Sequence, residues 1–220
     1  MLNTVIFDMD GLLIDSEPLW GEAMKEVFES LNLQLTPSHY MQTTGLRTQE
    51  VVEHWHRHFQ WKEKTPDQVV GEILESVTGK ILDKGLPMEG LLPILDFFQA
   101  RRFKIGLASS SPLQLITTVL EHLSIRDRFQ AIYSAENEAF GKPHPAVYLA
   151  CVNELHSDPS ACIAFEDSVN GMIAAKAARI KTVVVPEAHR RDDPRYVLAD
   201  LQLASLADFG EKELALLNAI

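Results

Sequence analysis

The sequence predicts an α/β protein, a doubly wound parallel sheet with a small all-helical cap inserted after the first strand. Short apolar runs repeatedly end in polar residues and lead into helical patterns, the rhythm of βαβ units. The first run, Val5-Ile6-Phe7, is apolar at every position, as a strand covered on both faces must be. From about Ser16 to Lys84 that rhythm stops and no convincing strand occurs.

After the first strand, Ser16 and Pro18 start a helix in which Trp20, Met24, Val27, Phe28 and Leu31 recur at helical spacing. Further helices are expected over Thr48–Phe59 and Pro66–Lys80, and the cap as a whole over 16–85. Ile14-Asp15-Ser16 is the outgoing hinge and Asp83-Lys84-Gly85-Leu86-Pro87 the return. The core, 1–15 and 86–220, then resumes. Lys104-Ile105-Gly106-Leu107-Ala108 ends at three serines, with Pro112 suited to a helix first turn. Ala131-Ile132-Tyr133 leads towards Gly141-Lys142-Pro143, Cys162-Ile163-Ala164-Phe165 ends at Glu166-Asp167-Ser168, and Thr182-Val183-Val184-Val185 ends at Pro186.

With 220 residues, 46% apolar and 23% charged, the chain can bury a sizeable core. A formal net charge of −11 argues against nucleic acid and anionic membranes as partners. Any anionic substrate would need local cations, a metal or helix N-termini to attract it. The two cysteines, Cys151 and Cys162, read as reduced core thiols. No signal peptide and no bilayer-length apolar stretch is recognisable, so a cytoplasmic protein is expected, and nothing demands more than a monomer.

The chemistry concentrates where the strands end. Asp8 and Asp10 sit at i and i+2, so on a strand both carboxylates face one side, at the edge where such sheets bind ligands. Two acids that close ask for a cation, and oxygen ligands favour Mg²⁺. Asp8 can attack phosphorus to give an aspartyl-phosphate, while Asp10 protonates the leaving alkoxide and later activates water. Ser109 can donate to a phosphoryl oxygen, or cap the next helix. Lys142 can neutralise charge built up during attack; a lone loop lysine is otherwise a surface charge. Glu166-Asp167 can complete a metal site, or Asp167 can cap a helix.

Other candidates are weaker. Of His54, His56 and His58 only the first and last share a helix face, and no carboxylate stands suitably near, so they read as a partly exposed face. Trp20, Trp55, Phe59 and Trp61 read as core of the helical insert. Arg47 can reach a sugar hydroxyl or remain a surface arginine. By location, Glu17, Trp20, Thr44 and Arg47 are the candidates for choosing a substrate.

Asp8-x-Asp10-Gly, Ser109, Lys142 and Glu166-Asp167 resemble, in order and spacing, the four motifs of the haloacid dehalogenase-like hydrolase superfamily. The helical insert resembles the small cap of its β-phosphoglucomutase-like subfamily. The resemblance implies a Rossmann-like core, Asp8 as nucleophile, and Asp10 as acid/base with its backbone carbonyl on Mg²⁺. It also implies Asp167 as a direct metal ligand with Glu166 supporting it. Ser109, the Ser110 amide and Lys142 would hold the phosphoryl group, and Lys142-Pro143 would be cis. The expected activity is a Mg²⁺-dependent phosphatase of small sugar or sugar-alcohol phosphates, such as 2-deoxyglucose 6-phosphate or hexitol phosphates. The subfamily's mutases carry a cap histidine where this chain has Trp20, which favours hydrolysis; dehalogenases lack the acid at Asp10. Many relatives place a glycine after the helix that follows Asp167, where this chain has Arg179 or Ile180. The rival readings are a sugar phosphomutase and a phospho-aspartate signalling module; the latter is much shorter and has no helical cap.

Overall fold

The computed structural model describes residues 1–219. Its sheet holds β1 (Thr4–Phe7), β2 (Lys104–Ser109), β3 (Ala131–Ser134), β4 (Cys162–Glu166), β5 (Lys181–Val184) and β6 (Leu201–Gln202), in the order β3-β2-β1-β4-β5-β6. Every pairing is parallel. This is the doubly wound order, in which the chain reverses direction beside β1 and leaves a crevice at the strands' carboxyl ends. Register brings the key strands to that edge together: Phe7 pairs with Leu107 on one side and Phe165 on the other. The next residue, Asp8, donates its backbone N–H to Phe165 at 3.0 Å. The strongest apolar runs therefore deliver their polar ends to one place.

The helices are α1 (Glu17–Ser30), α2 (Pro37–Thr43), α3 (Thr48–Phe59), α4 (Pro66–Lys84), α5 (Leu91–Ala100), α6 (Leu113–His122), α7 (Ala146–Glu154), α8 (Val169–Ala177) and α9 (Glu211–Ala219). One face of the sheet buries Phe7, Phe98, Phe129, Phe165 and Phe209 in one cluster. The other packs Ile6, Ala108 and Ala164 against Tyr148 and Cys151 of α7 and Ala174 of α8. Both cysteines are free and buried, and burial pushes the Cys151 thiol up.

Helices α1–α4 follow β1 without a strand and close a core of their own around Phe28, Val52, Trp55, Trp61, Val69 and Ile73. Helix α4 serves both bodies, since its later residues Val77 and Ile81 join the main core. It runs four residues beyond the sequence expectation, because that apolar stripe continues to Ile81 and Lys84 pairs with Glu22 at 2.7 Å. Asp83 and Lys84 are thus helical, and the return begins at Gly85. The outgoing and return segments run side by side, with Asp15 N–H on Leu86 O at 2.9 Å and Met88 N–H on Leu13 O at 3.0 Å. The sequence reading names neither α2, seven residues of weak periodicity, nor β6, two residues at the sheet edge, nor α5 and α9. No helix among the described residues is long and apolar enough to cross a membrane.

Candidate active site

Asp8 follows β1 directly and is buried. Gly11, three residues on, has φ 69°, and a Cβ there would stand 2.7 Å from Asp167 Oδ2. Only glycine both adopts that turn and leaves room for the second acid. The turn brings Asp10 back in an isolated bridge with Ile14, so the two acids are not neighbours on a regular strand as the i, i+2 argument supposes. Their carboxylates have separate surroundings. Asp10 Oδ1 accepts from Ser16 Oγ at 2.7 Å and from the Trp20 indole N–H at 2.8 Å, and Oδ2 accepts from Ser111 Oγ at 2.7 Å. Trp20 is thereby more than packing: its ring joins the helical core while its N–H holds the acid.

Lys142 follows β3 in the loop before α7, and its bond to Pro143 is cis. It is 2% exposed, and its ammonium donates to Asp8 Oδ1 at 2.6 Å, Glu166 Oε1 at 2.6 Å and the Ala108 carbonyl at 2.9 Å. Three N–H groups meet three acceptors, the opposite of a solvated loop lysine. Burial opposes its charge, but Asp8 and Glu166 outweigh burial and hold it protonated. Glu166 also accepts from the Tyr148 hydroxyl. Burial pushes the Asp8 carboxyl up, with Lys142 pulling against it, and burial with Glu17 and Asp8 pushes Asp167 up.

Asp8, Glu166 and Asp167 offer oxygens that all lie within 4.8 Å of one another. Buried acids this crowded, with Lys142 as their buried counter-charge, fit a hard divalent cation with oxygen ligands. The Asp10 carboxylate lies outside that group. Asp167 does not cap α8; Ser168 does, accepting from Gly171 N–H at 3.1 Å. At the end of α8, Arg179 takes the left-handed φ of 64°.

The three serines after β2 divide their work. Ser109 ends the strand, is buried, and accepts from Ser111 N–H at 3.1 Å. Ser110 Oγ donates to the Gly45 carbonyl at 2.9 Å, and Ser111 holds Asp10. None caps α6, whose N-cap is Pro112 itself, one position before the first turn.

These groups open into a cavity of about 120 Å³ between the sheet edge and the helical segment. Asp8, Asp10, Ser109, Ser110, Lys142 and Asp167 line it. Of the four specificity candidates, Glu17, Trp20 and Thr44 also line it. Arg47 does not: it donates to the carbonyls of Ala135 at 3.1 Å and Glu138 at 2.7 Å and pairs with Glu50 at 2.7 Å, tying α3 to the loop before Lys142. Arg190, after β5, lines the cavity and was not singled out in the sequence. The three α3 histidines form no metal group among the described residues; His56 meets the Trp61 carbonyl and the other two are exposed.

A parallel sheet gathers a buried, lysine-paired aspartate and further acids at its carboxyl edge, beneath inserted helices. Residues 5–185 match the family described as haloacid dehalogenase-like hydrolase, and the chain belongs to it. It is 41% identical over 210 residues to hexitol phosphatase B of Escherichia coli (strain K12), covering 95% of each chain. Among solved structures it superposes on CbbY of Rhodobacter sphaeroides in complex with phosphate, with TM-score 0.87, 24% identity, and 99% and 100% of the two chains covered. It also superposes on β-phosphoglucomutase of Clostridium difficile, with TM-score 0.86, 22% identity, and 100% and 98% covered. The chain is an enzyme, a phosphoric monoester hydrolase like the relatives named phosphatases, hexitol phosphatase B among them.

Proposed function

We propose that the chain is a Mg²⁺-dependent phosphatase that releases phosphate from small sugar or sugar-alcohol phosphates through an aspartyl-phosphate on Asp8. The observation that carries this reading is the buried contact of Lys142 with Asp8, 2.6 Å, beside the acids Glu166 and Asp167. Likeness to hexitol phosphatase B supports the substrate class.

Asp8 attacks phosphorus in line while Lys142, fixed by Glu166, offsets the charge gathering on the transferred oxygens. Ser109 and the Ser110 amide hold those oxygens at the end of β2. Asp10 gives its proton to the leaving alkoxide and then takes one from the water that opens the aspartyl-phosphate. Asp8, Asp167 and the Asp10 backbone carbonyl would hold Mg²⁺, with Glu166 supporting, and the ion would supply charge neutralisation for the phosphoryl group. The segment 16–85 serves as a cap, closing the cavity to bulk water and choosing the leaving group. Trp20 stands where the subfamily's mutases carry a cap histidine, which favours hydrolysis over mutase chemistry, and its N–H holds Asp10.

The test is phosphate release from sorbitol 6-phosphate, 2-deoxyglucose 6-phosphate, nucleotide and amino-acid phosphates, with Mg²⁺ and with chelator. Chelator-sensitive turnover concentrated on the sugar and polyol phosphates is expected. Absence of release from every one of them would overturn the reading.

A further inference from the structure

Two charged side chains in the cavity have no counterpart in the chemistry above. Glu17, the first residue of α1, lines the cavity, yet among the described residues no hydrogen bond or ion pair reaches its carboxylate. Arg190 enters from the other side: its Nη2 donates to Thr44 Oγ1 at 2.9 Å and its Nε lies 3.6 Å from Glu187, while Nη1 has no protein partner among the described residues. The two do not pair with each other, although each lines the same space. A carboxyl without a partner and a guanidinium with one nitrogen free, lining the same space, are matched by hydroxyls, which both donate and accept.

Glu17 lies next to the reaction centre. The Cβ position of Gly11 is 2.7 Å from Asp167 Oδ2 and 3.2 Å from Glu17 Cγ. A hydroxyl on Glu17 is therefore carried by a carbon close to the phosphoester. The rest of the cavity holds little positive charge. Its only cationic side chains are Lys142, already bound to Asp8 and Glu166, and Arg190. Arg47, the remaining candidate, is turned into the loop before Lys142.

We propose that Glu17 and Arg190 form a hydroxyl-reading pair that selects monophosphates of neutral polyols bearing free hydroxyls on the carbons beside the phosphoester. This rests on the phosphatase reading and names the feature of the substrate that it recognises. Glu17 accepts from one hydroxyl and Arg190 donates to its neighbour, so the pair fixes the chain direction of the leaving group. A sugar bisphosphate would set its second phosphate against Glu17, and Arg190, the one cation there, already faces Glu187.

The test compares kcat/KM for sorbitol 6-phosphate, which has such hydroxyls, with that for p-nitrophenyl phosphate, which has none. In Glu17→Gln and Arg190→Ala the ratio of the two is expected to fall roughly 10- to 100-fold, the loss of one charge-assisted hydrogen bond. A ratio within about threefold of the wild-type value in both variants would overturn the proposal. Calorimetric binding of sorbitol 6-phosphate to Asp8→Asn protein reads the same contacts without turnover. Adding Glu17→Gln is expected to weaken Kd about tenfold or more, and an unchanged Kd overturns the pair. Failure of wild-type protein to turn over either ester would instead count against the phosphatase reading, while the Kd comparison still decides the role of Glu17.

Discussion

Replacing Lys142 by methionine keeps the volume of the side chain and removes the one buried cation between Asp8 and Glu166. The ammonium is 2% exposed, Glu166 is fully buried, and all three N–H groups are used. Water cannot replace the lost partner, so two carboxylates are left facing each other without compensation. Removing one member of such a buried pair costs about 3–5 kcal/mol. In a chain of this size that lowers Tm by roughly 6–20 °C. The sign of the pH dependence follows from which groups change. In wild type, Lys142 keeps its proton across the neutral range because its acidic partners raise it. In the variant the Asp8 carboxyl, already pushed up by burial, loses the cation that pulled against it and takes up a proton that the unfolded chain releases. Folded-state values raised in this way make the variant relatively more stable as pH falls, so the deficit shrinks from pH 8 towards pH 5. Thermal unfolding of both proteins in chelator, at several pH values, measures it. A deficit below about 1 kcal/mol at pH 8, or one that does not depend on pH, would refute the buried-triad reasoning.

Trp20→Phe removes one of three donors to Asp10 and is expected to lower kcat roughly 10-fold with KM changed about twofold at most; a raised KM with kcat intact would make Trp20 a substrate contact instead. Burial, and then Asp10, push the Glu17 carboxyl from 4.5 to about 7. A carboxyl raised by folding destabilises once ionised, so stability is lost as pH climbs from 4.5 to about 7. Glu17→Gln in metal-free protein should therefore gain about 3 kcal/mol at pH 8 and almost nothing at pH 4, read by denaturant unfolding; an equal gain at both would contradict it. Mg²⁺ at about 100 times its Kd should stabilise the protein by ~2.7 kcal/mol, an effect lost in chelator and in Asp167→Asn.

The strands that carry function are legible in the sequence because they are buried on both faces and read as unbroken apolar runs. Val5-Ile6-Phe7 and Cys162-Ile163-Ala164-Phe165 lie fully inside the sheet. The edge strand β6 has two residues and a half-exposed pattern, too little for any period to register. Helix α2 is similarly short, whereas the stripe of α4 over Val69, Ile73, Val77 and Ile81 predicts its helix well and only its end is misjudged. In the site, motif spacing locates Asp8, Asp10, Ser109, Lys142 and Asp167, and the fold brings all five to one cavity. What spacing cannot convey is who bonds to whom across distant segments. Glu166 serves as the anchor of Lys142, and Tyr148 of α7 bonds to Glu166. The Trp20 N–H reaches Asp10 ten residues back, and Arg190 meets Thr44 across 146 residues of chain. The turn around Arg47 leaves open a sugar contact or a surface position, but two carbonyls of the core and Glu50 claim its guanidinium.

The central claim is that Asp8 carries the phosphoryl group, and acid quenching during turnover of sorbitol 6-phosphate with Mg²⁺ tests it most directly. Peptide mass spectrometry should find a phosphate on the peptide containing Asp8, and none in Asp8→Asn, which should also release no phosphate. A phosphorylated residue elsewhere, or an Asp8→Asn protein that hydrolyses at the wild-type rate, would contradict the account.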